Sequence, residues 1–208
     1  MGSLLLKLII GQLNQYIRSV SAGNGSGGTN NVVVMGNIAT SHIAGGDNVD
    51  LNEKLVVSVV NIAEEASLKN NTVHLQKNQQ HFEVHPTVHV NLYLLFTANF
   101  KEYDKAINHL FRVLEFFQGR KVFQYKNAPF SIEGNVSAAD EEQMKEIELT
   151  VELHTLSFEQ LNDLWGSLGG KQIPFVLYRA RLVPVQMEQV LGREGFITEI
   201  DLAMAPQI

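Results

Sequence analysis

"TVHVNLYLLFTANFKEYDKAINHLFRVLEFFQG", residues 87–119, changes hydrophobic period partway along, and that change sets the fold class. Across 87–98, Val88, Val90, Leu92, Leu94 and Phe96 alternate on one side, the two-residue period of a strand. Past residue 98 the spacing becomes three and four. Phe100, Tyr103, Ile107, Leu110, Phe111, Leu114 and Phe117 trace one helical face, and Gly119 closes the helix. Asn99 stands at the N-cap with Glu102 three residues on, a variant of the capping box. A strand feeding directly into a long amphipathic helix predicts helices laid on a sheet.

Working outward, residues 3–20 place Leu5, Leu6, Ile9, Leu13, Ile17 and Val20 at helical spacing, which predicts a first helix with one buried face. The glycine-rich connector 21–31 follows, then short apolar strands at 32–38 and 54–65. Residues 67–86 carry little pattern beyond that of a hairpin edge. After residue 119, strands are expected at 121–125, 147–156, 175–186 and 195–204, with an acidic, exposed excursion at 133–146. Ser157 caps a short third helix, and Gln160 completes its capping box. No internal repeat appears. The expectation is an α/β (α+β) fold in a single domain, residues 1–208. Its mixed, mostly antiparallel sheet carries packed helices, and flexible excursions lie near 21–31, 66–86 and 126–146.

Composition narrows the function classes. The 208 residues allow one substantial core, with 45% hydrophobic and 18% charged residues. Lys and Arg total 16 against 22 Asp and Glu, so no basic surplus argues for nucleic acid or an anionic membrane. Cysteine is absent, which removes disulfides, thiolate metal sites and cysteine nucleophiles, and fits a cytosolic chain. The N-terminal stretch lacks a basic leader, Lys7 interrupts its apolar run, and Gln12, Asn14, Gln15 and Arg18 follow. An amphipathic helix is expected there, not a signal peptide or a span of about 18 apolar residues.

The stretch "LWGSLGGKQIP", residues 164–174, has the composition of a phosphate cradle but not its order. A P-loop needs its first glycine where Trp165 stands and a hydroxyl where Gln172 stands. It also leads from strand to helix, whereas this loop leaves a helix for a strand. The plainer reading makes Gly166 the helix cap, Pro174 a stiffener before the next strand and Trp165 an anchor to the core. His81, His85 and His89 recur every four residues, but Pro86 makes that segment extended. On a strand the spacing is about 13 Å, too far for one metal ion. Glu64, Glu65, Glu141 and Glu142 read as solvated charge. No nucleophile elbow or zinc helix occurs, so no catalytic, cofactor or metal residue is assigned.

Three stretches together carry a resemblance: "NLYLLFTANFKEYDKAINHLFRVLEFFQGRKVF" (91–123), "LHTLSFEQLNDLWGSLGGKQIPFVLYRARLV" (153–183), and "LIIGQLNQYI" with "VVVMGNI" and "LVVSVVNI". In order and spacing they resemble the cap, or tail-terminator, proteins of phage-tail-like extracellular contractile injection systems. The resemblance implies a non-enzymatic structural protein without cofactors. It would assemble as a homo-hexameric ring on the distal end of the inner tube, directly or through a tube-like adaptor, and engage the last sheath layer. Assembly in the bacterial cytoplasm and later residence in the particle are implied too, as is the short, single-domain form of the family. Free strand edges are expected to accept or donate a strand to a sheath subunit. Expected contact residues are Trp165, Gly166, Ser167, Leu168, Gly169, Gly170, Lys171 and Gln172, because binding residues concentrate on loops. Two alternatives stay open: a neck or adaptor subunit of the same particle, and a nucleotide- or small-molecule-binding α/β enzyme.

Overall fold

The computed structural model describes residues 2–23, 31–40, 50–65, 74–77, 80–84, 88–124, 148–185 and 190–194. In chain order the elements are α1 (Gly2–Gly23), β1 (Val33–Met35), a 3-10 turn (Ile38–Thr40), β2 (Lys54–Glu64), β3 (His74–Lys77), β4 (Gln80–Val84) and β5 (Val88–Asn99). There follow α2 (Tyr103–Gly119), β6 (Val122–Gln124), β7 (Glu148–Leu153), α3 (Phe158–Ser167), β8 (Phe175–Val185) and β9 (Val190–Glu194). They fall into two units. One comprises Met1–Glu64 and Val90–Val183, the other Glu65–His89 and Pro184–Ile208.

The first unit holds a six-stranded sheet in the order β1-β2-β5-β8-β7-β6. β1 runs parallel to β2, whereas the β2–β5, β7–β8 and β6–β7 pairs are antiparallel. The mixed, mostly antiparallel sheet with packed helices is therefore present. Alternation along β5 sends Leu92, Leu94, Phe96 and Ala98 to a core built with α1 and α2, and Leu95 to a second core that includes Leu164 of α3. Both faces of the central strands are thus covered. In the larger core the Phe117 ring lies 4.4 Å from Tyr178, 5.4 Å from Phe96 and 5.8 Å from Phe123. Burial pushes the Tyr178 phenol up to about 12.

Buried polar groups fix α1 on this sheet. The Asn14 side chain donates to the Val33 carbonyl and accepts from the Val33 N–H, each at 2.9 Å. In β1 the opposite side is the one paired, since the Leu55 N–H donates to Val32 O. One amide therefore acts as a one-residue strand against the outer edge of β1, which would otherwise present unpaired groups. Gln12, also buried, accepts from the Arg120 guanidinium. Two of the residues that count against a membrane span, Gln12 and Asn14, are internal hydrogen-bonding posts.

The second unit is a three-stranded antiparallel sheet, β3-β4-β9. The hairpin expected in 67–86 is β3–β4, whereas β9 lies in a stretch without alternation. The strand expected at 195–204 and the excursion at 126–146 lie outside the described residues.

Two local expectations are corrected. Asn99 does not cap α2. It is the last residue of β5, paired with Lys54, and its Nδ2 donates to Leu51 O at 2.8 Å. The strand ladder continues past the point where local chemistry favours a helix start, so α2 begins at Tyr103, with Glu102 as an N-cap that makes no side-chain bond. The buried face of α2 is Ala106, Leu110, Val113, Phe116 and Phe117. Tyr103 and Phe111, placed on the inward face by their spacing, are 68% and 60% exposed.

Candidate interface surfaces

Helix α3 is held at its start by the expected box: the Gln160 N–H donates to Ser157 Oγ at 3.2 Å, and the Ser157 N–H to Gln160 Oε1 at 3.0 Å. Trp165 is buried, its ring 5.4 Å from that of Phe175, and so anchors α3 as expected. It holds the loop in place from beneath and offers no surface of its own.

The helix ends differently from the sequence expectation. Gly166 lies within α3, and the C-cap is Leu168. Gly169, at φ +103°, supplies the left-handed residue, its N–H reaching Gly166 O, while the Gly170 N–H reaches Trp165 O at 2.6 Å. This pair of bonds is a Schellman motif, and a side chain at either glycine would be strained by the backbone angle and not by crowding. Gly166, Ser167, Gly169, Gly170, Lys171 and Gln172 are exposed, with Leu168 half-buried. The loop is both a closed turn and an accessible rim.

That rim borders a recess of about 420 Å³ lined by Tyr103, Ile107 and Leu110 of α2 and by Gln172, Ile173, Pro174 and Phe175. Pro174 is fixed there because its carbonyl accepts from the Ala98 N–H at 2.9 Å. On the α3 side of the sheet a second groove, about 410 Å³, runs between α3 and β2 past Asn61, Tyr93 and His154. Beside it Glu152 pairs with Arg179 at 3.1 Å and faces Arg181 at 3.7 Å. The Glu152 carboxylate, ahead of burial and of Tyr93, shifts the Arg179 pKa, for a net rise above the guanidinium's usual range.

Near the start of α2, Glu53 accepts from the Lys101 N–H at 2.9 Å and pairs with Lys105 at 2.7 Å. The Lys105 bond, then the Lys101 bond, hold its carboxyl below the usual range. His109 stacks on Phe100 at 4.4 Å and contacts the Lys105 carbonyl through Nδ1 at 2.8 Å, so that nitrogen carries the proton. No group of three or more potential metal ligands occurs among the described residues. His81 lies on β4 and His89 on β5, while His85 is outside the described residues. No helix among the described residues is long and apolar enough to cross a membrane.

Residues 5–199 match the family described as the Pvc16 N-terminal domain. Among solved structures, the chain is similar to the tube-terminating cap of the anti-feeding prophage, with 13% identity and a TM-score of 0.50 over 73% of this chain and 49% of that one. It is also similar to the sheath/tube terminator, in its extended state, of a PVC extracellular contractile injection system. There the identity is 12% and the TM-score 0.49, over 74% of this chain and 51% of that one. The chain spans about half the length of these two solved proteins. No curated protein matches it.

Proposed function

Because the chain belongs to the Pvc16 N-terminal domain family, we propose that it is a structural capping protein, forming a ring at the distal end of a contractile injection particle and terminating its inner tube and sheath. The observation that carries this reading is the family match, which runs through segments of both units. The fold shared with the anti-feeding prophage cap supports it. On this reading the whole chain, residues 1–208, serves as one terminator domain, six copies close the ring, and the role is non-enzymatic. The partners are further copies of the chain, the inner tube protein or a tube-like adaptor, and the sheath protein. The chain is made and assembled in the bacterial cytoplasm and leaves as part of the particle.

The contact surface proposed here is the α3 rim, Gly166 to Gln172, supported from beneath by Trp165. Its backbone is fixed by the Schellman bonds, so little ordering cost attends docking. β2 offers a second surface, since among the described residues β1 pairs with Leu55, Val56 and Val57 and stops short of the stretch from Val59 to Ile62. That stretch presents the exposed side chains of Val59 and Ile62. An added strand from a sheath subunit would find backbone groups there.

Particles assembled without this chain test the function. Electron microscopy is expected to show tubes and sheaths of uncontrolled length; uniform, capped particles would refute it. Sedimentation velocity tests the ring: six copies of 23.2 kDa give about 139 kDa, and a monomer at every concentration would refute pre-assembly.

A further inference from the structure

The first unit carries a projection and a recess that its own packing leaves unused. Phe158, the first helical residue of α3, is 92% exposed. Capping asks nothing of it, because Ser157 and Gln160 form the box. The staple positions on either side are Leu156 and Leu161, both half-buried. Leu153, at the end of β7, adds a second exposed apolar side chain close by in the chain. Aromatic side chains presented in this way anchor protein contacts.

The recess lies past the other end of the same helix, between Tyr103 and Ile107 of α2 and the Ile173–Phe175 segment. Ten helical residues at about 1.5 Å each put roughly 15 Å between the two ends of α3. Within one chain the projection and the recess are therefore kept apart by the length of the helix. Between copies repeating head to tail they can meet, and a head-to-tail contact is the type that builds rings.

Charge favours the same pairing. Glu159 follows Phe158, Lys171 precedes the recess-lining Gln172, and both are exposed with no ionic partner among the described residues. Seating the projection in the recess brings acid towards base.

We propose that Phe158 of one copy seats in the Tyr103–Phe175 recess of the next, with Glu159 facing Lys171 across the contact. The inference rests on the ring reading and deepens it by naming the surfaces that join neighbouring copies.

The absence of cysteine makes the contact testable by thiol trapping. In the double variant Glu159→Cys, Lys171→Cys both substituted positions are exposed and Phe158 is retained. Facing Cα atoms within about 7 Å can be bridged. Mild oxidation is expected to give a ladder beyond the dimer that ends at a fixed rung, whereas each single variant stops at the dimer. Adding Phe158→Ala is expected to reduce the ladder at least tenfold with the thermal midpoint unchanged.

A double variant that forms no rung above its single-site controls overturns the proposal, as does a ladder indifferent to Phe158→Ala. Sedimentation of the unsubstituted chain separates the two layers. Assembly without a ladder leaves the ring and removes this contact; a monomer without a ladder removes this contact and the pre-assembled ring, and leaves the capping role to the particle test. Phe158→Glu in the otherwise unaltered chain gives an independent readout, expected to abolish assembly, and unchanged assembly would also overturn the contact.

Discussion

Replacing Asn14 by Ala should be among the most damaging polar substitutions in this chain. The side chain makes two 2.9 Å bonds to a single residue, Val33, which is 1% exposed. Their removal strands one buried N–H and one buried carbonyl. At about 1–3 kcal/mol for each unsatisfied group, the cost is about 2–6 kcal/mol. Asn14→Asp should be no milder: it keeps an acceptor for the N–H but sets a carboxylate against the Val33 carbonyl. Urea unfolding monitored through Trp165, the one tryptophan, measures the loss. Ser19→Ala, which removes an exposed bond to Tyr16 O, serves as control and should stay within about 0.5 kcal/mol. The Leu55 amide, bonded to Val32 O, should exchange faster in Asn14→Ala. A cost below about 1 kcal/mol with unchanged Leu55 protection would refute the one-residue-strand reading.

Gly169→Ala forces an alanine to φ +103° and is expected to cost roughly 1–2 kcal/mol in thermal unfolding, although nothing crowds the new methyl. A neutral result would show that α3 can end another way. Ser157→Ala removes one half of the capping box and should cost about 1 kcal/mol, read from the same tryptophan; Ser157→Asp should recover most of it. Burial, ahead of the Arg112 and Lys105 charges, holds the His109 imidazole below its usual range, against the opposing Lys105 carbonyl and Glu53. The unfolded chain therefore takes up more protons. This contribution to stability is intact above about pH 6.5 and declines as pH falls from there towards the folded value. His109→Gln should flatten the thermal midpoint over that window, and a parallel pair of pH curves would contradict the assignment.

What sequence could reveal here tracks how local each cause is. The Ser157–Gln160 box lies within four residues, and both of its bonds form as read. The alternation along β5 also survives, because a sheet face is decided by the strand's own period. Asn99 reads as a cap only when its neighbours in the chain are considered; its actual partners, Lys54 and Leu51, come from more than forty residues upstream. Asn14 reads as the wet side of a helix because Val33, its partner, is invisible to helical periodicity. On α2, helical spacing allows a face through Tyr103 and Phe111, whereas the sheet accepts the neighbouring row containing Ala106 and Val113. At the 164–174 loop the type of turn was legible, but the left-handed residue was not, since Gly169 and not Gly166 takes that role once α3 runs to Ser167. Nothing in local sequence announces the exposed Phe158.

The double-sided covering of β5 has an evolutionary corollary. A strand enclosed above and below is specified by pattern and volume, and many apolar side chains of similar size satisfy both. Drift can therefore run through the interior with little consequence for architecture, as a fold shared at 13% identity illustrates. Choice of partner is left to the periphery, where helix ends, turns and strand margins are written by few residues. Lineages of such a chain can exchange binding specificity by altering a handful of peripheral codons while the centre changes letters without changing shape.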